Sequence, residues 1–351
     1  MTRGSSTQAG RAQLLADLFP AGIPTLWCPL LTHYAGDGTL DRGRLEAHIR
    51  HLAPWVKGFL IPGSTGDGWE MTEAEIVELL DCALGLAGVL RVQVLIGVLK
   101  TDAAKARRDI LHTMAWLKMR GHTAETAACL VKNHVCGFTI CPPRGKGLAD
   151  EDLRRGLETI LELELPTALY QLPQVTQNQM SPELVAELAR RFTNFFLFKD
   201  TSGEDRVASS GLELGGIFMV RGAEGSYDRW LKPGGGPYDG WLLSSANGFA
   251  RELHQVAEDL AAGRNERASQ LSARLTAAVG EVFRVVAELR GGNPFANANK
   301  AIDHFFAHGA RGATAPPPRL HCGQTLPVEV IRATGEVLDR HGLLPRKGYL
   351  A

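Results

Sequence analysis

The sequence predicts an α/β chain, a (β/α)8 TIM barrel followed by a C-terminal helical extension. Three observations carry that expectation. Short apolar runs alternate with helical stretches from residue 23 to residue 262, the pattern of parallel strands joined by helical crossovers. Eight such strands joined by short turns suit a closed barrel better than an open sheet. No Gly-x-Gly-x-x-Gly follows the first strand, so a dinucleotide-binding fold lacks its main signature.

Taken in order, residues 1–19 read as a loose arm with a short helix over Ala9–Leu18. Strands are expected at 23–31, 58–64, 92–98, 136–142, 167–172, 195–200, 217–223 and 239–245. Helices are expected at 41–53, 73–88, 102–118, 149–164, 182–191, 204–213 and 249–262. Thr72 with Glu75 forms a capping-box signature for the second of these. The barrel then occupies 20–262 and the extension 263–351, with helices near 264–290, 294–308 and 326–342. Pro316-Pro317-Pro318 is a connector within the extension.

Composition narrows the function. With 351 residues and 44% hydrophobic content, the chain can bury a large core. Its 38 basic and 38 acidic residues cancel without long runs of either sign, which argues against nucleic acid or a membrane surface as partner. No apolar run approaches the ~20 residues of a membrane helix. Met1–Gly10 is polar and lacks a signal-peptide core. Six scattered cysteines without a Cys-x-x-Cys pair fit reduced thiols in a cytoplasmic protein.

The chemistry centres on Phe195-Phe196-Leu197-Phe198-Lys199-Asp200-Thr201-Ser202-Gly203. Four bulky apolar residues read as a strand buried on both faces, so Lys199 ends a buried strand just before a polar turn. Burial disfavours an ammonium, and a neutral amine can attack a ketone to form a Schiff base. A lysine reaching to solvent, or pairing with Asp200, remains the plainer alternative. Tyr170 ends the preceding strand, Thr167–Pro173, and neighbouring strands lie about 4.8 Å apart. Its hydroxyl and the amine could serve one ligand, with the phenol relaying protons. A core tyrosine with a satisfied hydroxyl is the alternative. A third element, Gly58–Gly68, runs from a strand into a Gly63-Ser64-Thr65-Gly66 turn whose amides and hydroxyls suit a small anion such as a carboxylate. It could equally be a plain strand-to-helix turn.

These segments together resemble the dihydrodipicolinate synthase / N-acetylneuraminate lyase family of lysine-dependent class I aldolases and lyases. The quoted motifs are Gly63-Ser64-Thr65-Gly66-Asp67, Tyr170-Gln171-Leu172-Pro173 and Lys199-Asp200-Thr201-Ser202-Gly203. Their order agrees along roughly residues 20–345. The resemblance implies that Lys199 forms an imine with a 2-oxo acid while Tyr170 relays the proton. It implies that Ser64 and Thr65, on the turn opened by Gly63, hold the carboxylate, with the Thr65 hydroxyl linking toward Tyr170. Glu224, beside Gly222 at the end of the seventh strand, becomes a candidate for substrate hydroxyls. A solvated carboxylate or an ion pair with Arg221 is the alternative. Ser244 at the end of the eighth strand could also face the pocket, or merely cap a helix.

Two departures from the family stand out. The tyrosine pair expected after the fourth strand is replaced by Cys141-Pro142-Pro143-Arg144-Gly145-Lys146, and the arginine expected beyond Pro173 is replaced by Val175. Both argue against lysine-pathway synthase activity. Arg144 could meet an anionic substrate or lie on the surface. The stretch Arg120–His134, with helical character over Thr123–Lys132, is longer than the family leads one to expect and has no assigned role.

The expectation is a Schiff-base aldolase or lyase taking a pyruvate-like 2-oxo acid and an aldehyde, with no metal or organic cofactor. A dehydratase or hydratase-aldolase of a sugar acid or aromatic 2-oxo acid on the same imine remains open. So does a 2-oxo-acid-binding protein without turnover. The resemblance also implies a homodimer or homotetramer. His304 with His308, and His48 with His51, have helical spacing but no His-Glu-x-x-His, so they read as helix faces and not metal ligands.

Overall fold

The computed structural model describes residues 3–350; the first two residues of the expected arm lie outside them. The chain enters through α1 (Arg3–Leu18), then β1 (Leu26–Pro29), α2 (Arg42–Leu52) and β2 (Gly58–Ile61). There follow α3 (Glu73–Leu90), β3 (Gln93–Val98), α4 (Ala103–Gly121), α5 (Thr126–Lys132) and β4 (Val135–Ile140). Next are α6 (Asp150–Leu161), β5 (Thr167–Gln171), the single turn α7 (Pro173–Thr176), α8 (Pro182–Arg191) and β6 (Phe195–Asp200). The barrel ends with β7 (Phe218–Arg221), β8 (Gly240–Leu242) and α9 (Ala246–Ala261). The extension is α10 (Asn265–Val286), α11 (Pro294–His308) and α12 (Val328–Arg340). Eight strands close into one barrel in the order β1 to β8, and the fold class is a (β/α)8 barrel with a helical extension.

Two compact units divide the contacts. One comprises residues up to Thr25, Gln93–Ala223 and Pro237–Leu242; the other comprises Leu26–Val92, Glu224–Gly236 and Leu243–Ala351. In the first, β3 to β8 pair in parallel, each strand with the next. In the second, β1 pairs with β2, and α10 packs on α9, α11 and α12. The C-terminal helices thus share a unit with β1 and β2.

Local signals explain most boundaries. Thr72 and Glu75 bond reciprocally and start α3. Ser181 and Pro182 start α8. Strands β2, β4, β5 and β6 are buried at every residue.

Two expectations need correction. The loose arm is the 16-residue helix α1, bolted down by Arg11. That buried guanidinium donates to the carbonyls of Phe195, Phe192, Ala189 and Gly215. The helix expected at 204–213 is absent and the chain there forms bends and turns. Asp205 sits at φ 56° with its carboxylate held by Arg221 and Tyr238, and Gly211 sits at φ 72°, so tertiary bonds override local helix propensity. The Arg120–His134 stretch supplies the end of α4 and the added helix α5.

Candidate active site

The lysine strand and the tyrosine strand are adjacent, with Tyr170 in register with Lys199. The Lys199 Nζ lies 3.9 Å from the Tyr170 ring centroid, and both residues are buried. Asp200, one residue on, points to other partners: its carboxylate accepts from the Ser202 amide at 2.9 Å and from Gln171 and Tyr238 at 3.4 Å. Burial pushes the Asp200 carboxyl above its usual value, while the Ser202 and Gln171 hydrogen bonds oppose the shift.

Space beside the amine is kept open by Gly222, after β7. A Cβ there would lie 2.9 Å from Lys199 Cε and 2.3 Å from Thr201 Oγ1. Thr201 was not singled out from the sequence, yet its Oγ1 is buried with no hydrogen-bond partner among the described residues. A buried orphan hydroxyl two residues past the lysine is a natural ligand for a substrate oxygen. Its i+2 spacing from Lys199 was the available signal. Cys141 closes the same region after β4; burial pushes its thiol up to about 12, against the opposing charge of Lys199.

In the second unit, Ser64 and Thr65 form a buried 3-10 turn, Ser64–Gly66, that starts three residues past the end of β2. Gly63 leads into it in extended conformation. Gly66 is required by close approach, since a Cβ would lie 2.2 Å from the Leu30 carbonyl oxygen. The turn is braced on several sides. Trp69 Nε1 donates to Ser64 Oγ at 2.9 Å, Asn293 Nδ2 to the Ser64 carbonyl at 3.1 Å, and Thr32 Oγ1 to the Gly66 carbonyl at 2.8 Å. Asp67, left-handed at φ 62°, receives Lys300 Nζ at 2.9 Å and the Tyr34 hydroxyl at 3.1 Å.

Glu224 and Ser244 come together, in that same unit. Glu224 Oε1 accepts from Ser244 Oγ at 2.7 Å and the Ser245 amide at 2.9 Å; Oε2 accepts from Ser245 Oγ at 2.6 Å and Tyr227 at 2.8 Å. Four donors on one carboxylate make it a brace for the loop after β7. Arg221, considered as its partner, instead forks onto Asp205 at 2.9 and 3.0 Å. Arg144 is exposed on the loop after β4, and Val175 lies half-buried in α7.

Among the described residues one group of side chains has metal-ligand types within reach: His33, His48 and Asp303, all buried. Its bonds are already committed. His33 Nε2 meets His48 Nδ1 at 2.9 Å, and Asp303 accepts Arg44 at 3.0 Å and Tyr349 at 2.9 Å. Arg44 supplies the positive charge a metal would bring, so the cluster is a core hydrogen-bond network.

Comparison with known proteins agrees with this architecture. A sequence model of the dihydrodipicolinate synthetase family matches residues 135–290, the stretch carrying Tyr170, Lys199 and Glu224. Over that stretch the chain is similar to that family. A 4-hydroxy-tetrahydrodipicolinate synthase of Methanococcoides burtonii is 27% identical over 52% of this chain and 57% of its own length. An uncharacterized DapA-like lyase of Rhizobium meliloti is 26% identical over 46% of this chain and 48% of its own. The chain therefore spans about half the length of these curated relatives. A synthase of Agrobacterium fabrum is 24% identical over 74% of this chain and 81% of its own. Among solved structures, an E. coli K12 prophage protein of the dihydrodipicolinic acid synthase family, in complex with pyruvate, superposes with TM-score 0.71 at 20% identity, covering 92% of this chain and 99% of that one. A Sulfolobus solfataricus 2-keto-3-deoxygluconate aldolase variant gives TM-score 0.69 at 16% identity, covering 91% and 96%. At such identities these structures speak to the fold alone. No described helix is long and apolar enough to cross a membrane.

Proposed function

We propose that this protein is a class I aldolase or lyase that forms a Schiff base between Lys199 and pyruvate or a pyruvate-derived 2-oxo acid. The observation that carries the reading is the buried Lys199 amine 3.9 Å from the Tyr170 ring, on paired strand ends of a parallel barrel. Barrel enzymes place their chemistry at the C-terminal strand ends. The Lys199 Nζ attacks the ketone carbon and water leaves, giving a protonated imine. In cleavage, the C3–C4 bonding pair moves into that imine to give an enamine. The C4 hydroxyl proton passes to a base as the aldehyde departs, and C3 is then protonated. Hydrolysis returns the amine and the 2-oxo acid. Tyr170 relays the protons, Ser64 and Thr65 on the Gly63 turn hold the carboxylate, and Thr201 and Gly222 border the imine carbon. Glu224 acts with Ser244 by fixing the loop after β7.

The acceptor is an aldehyde other than the lysine-pathway substrate. Val175 stands where that substrate's carboxylate would want an arginine, and Cys141–Lys146 holds no tyrosine pair. Exposed Arg144 is the candidate contact for an anionic acceptor. Assembly as a homodimer or homotetramer rests on family resemblance. The test is borohydride trapping with pyruvate, read by intact mass and peptide mapping on wild type and Lys199→Ala. A pyruvyl adduct on Lys199, lost in the variant, is the expected result. No adduct in the wild type overturns the reading with pyruvate as donor.

A further inference from the structure

A groove unrelated to Lys199 is built from α2, α9, α10, α11 and the segment 342–347. Two adjoining cavities of about 470 and 460 Å³ share Trp55, Arg251, Glu252, Phe306, Leu344 and Pro345 and so form one cleft. That is within the ~300–1,000 Å³ of small-molecule sites. We propose that it binds a purine nucleotide, a flat ring carrying an amino donor and a phosphate.

Three features argue for each part of that ligand. Trp55 and Phe306 are half-buried aromatics in the cleft, Trp55 against His254 at 5.5 Å and Phe306 against His51 at 6.5 Å between ring centroids. Base–aromatic stacking suits such a wall. The charge is one-sided: Arg251, Arg274, Arg346 and Lys347 face a single carboxylate, Glu252, in a chain whose formal charge is zero. Arg251 is tied to Glu252 at 2.7 Å. Arg274 is tied to the carbonyls of His341 at 3.1 Å and Gly342 at 2.9 Å, which fixes the C-terminal wall. Arg346 and Lys347 are exposed with no ion pair among the described residues, and they are the cations available to a phosphate.

Glu252 supplies the third feature. Its side chain is 12% exposed, its Oε1 takes both Arg251 bonds, and its Oε2 is buried without a hydrogen-bond partner among the described residues. A desolvated carboxylate oxygen lacking a donor is costly, and an exocyclic amino group would satisfy it. Inorganic phosphate brings no ring, and an aryl carboxylate brings no amino group, so neither meets all three demands.

Isothermal titration of the full chain with AMP, adenosine, IMP and inorganic phosphate tests the assignment. Saturable AMP binding is expected, with IMP, adenosine and phosphate each at least tenfold weaker. Arg346→Glu with Lys347→Glu, both exposed, weakens AMP at least tenfold and leaves adenosine unchanged; Trp55→Ala weakens both. No saturation by about 1 mM AMP overturns the proposal. So does AMP binding that survives the charge reversal, or phosphate binding as tight as AMP, which would make the groove a mere cationic patch. None of these results bears on the Schiff base.

Discussion

Lys300→Met isolates the Asp67 carboxylate and tests whether the brace behind the carboxylate turn is an obligatory ion pair. Lys300 is 1% exposed and Asp67 2%, with Nζ–Oδ2 at 2.9 Å and Nζ 4.6 Å from the Tyr34 ring centroid. Methionine fills the alkyl volume but leaves a buried carboxylate with, among the described residues, only the Tyr34 hydroxyl as side-chain donor. Breaking one partner of such a pair costs about 3–5 kcal/mol. For 351 residues the melting entropy is about 0.7 kcal/mol per kelvin, so Tm should fall by about 4–7 °C. Adding Asp67→Asn to Lys300→Met removes the orphan charge and should recover at least half of that drop. The assay is paired thermal and urea unfolding of wild type, single and double variants. A single variant as stable as wild type, or a double variant no better than the single, refutes the reasoning.

Three further outcomes follow from the site and its surroundings. Gly222→Ala presses a methyl on Lys199 Cε and Thr201 Oγ1, and misplacement of about 1 Å costs on the order of 10²-fold in kcat; a variant of unchanged activity would contradict the steric account. Tyr170→Phe should keep borohydride trapping while lowering kcat by about 10²–10⁴, so equal loss of trapping and turnover would move Tyr170 out of the proton relay. Stability should fall in mild acid. Burial lowers His304 from 6.5 to about 4 and lowers His33 in the same direction, so below 6.5 the unfolded chain binds protons that the folded chain refuses. His304 alone then accounts for about 2 kcal/mol lost between pH 7 and 5, and a flat profile over that range would exclude it.

The alternation of strand and helix was legible because each buried strand is a short apolar run and several helix starts carry their own cap, as at Thr72 and Ser181. Lys199 announced itself by interrupting such a run, and its partner Tyr170 followed from strand adjacency. What escaped depends on contacts far apart in sequence. Asp205 is drawn out of a helix by Arg221, 16 residues on, and by Tyr238, 33 residues on. Glu224 looks like a free carboxylate until the Ser244 and Ser245 hydroxyls arrive from after β8. Arg11, in a polar stretch, gives no local hint of its four distant carbonyls. Thr201 was hidden for the opposite reason, since its spacing from Lys199 is a faint hint until burial shows that its hydroxyl lacks a partner among the described residues.

The Arg11 anchor has a practical side. Phe195 opens the strand on which Lys199 sits four residues later, about 13 Å along it. The guanidinium therefore grips the foot of the strand whose tip carries the amine. Trimming the first nineteen residues would release carbonyls at Ala189, Phe192, Phe195 and Gly215 together and uncover Phe196, which packs against Phe19 with ring centroids 6.0 Å apart. An affinity tag is best set ahead of α1 on a spacer, because the helix that looks expendable is the footing of the Lys199 strand.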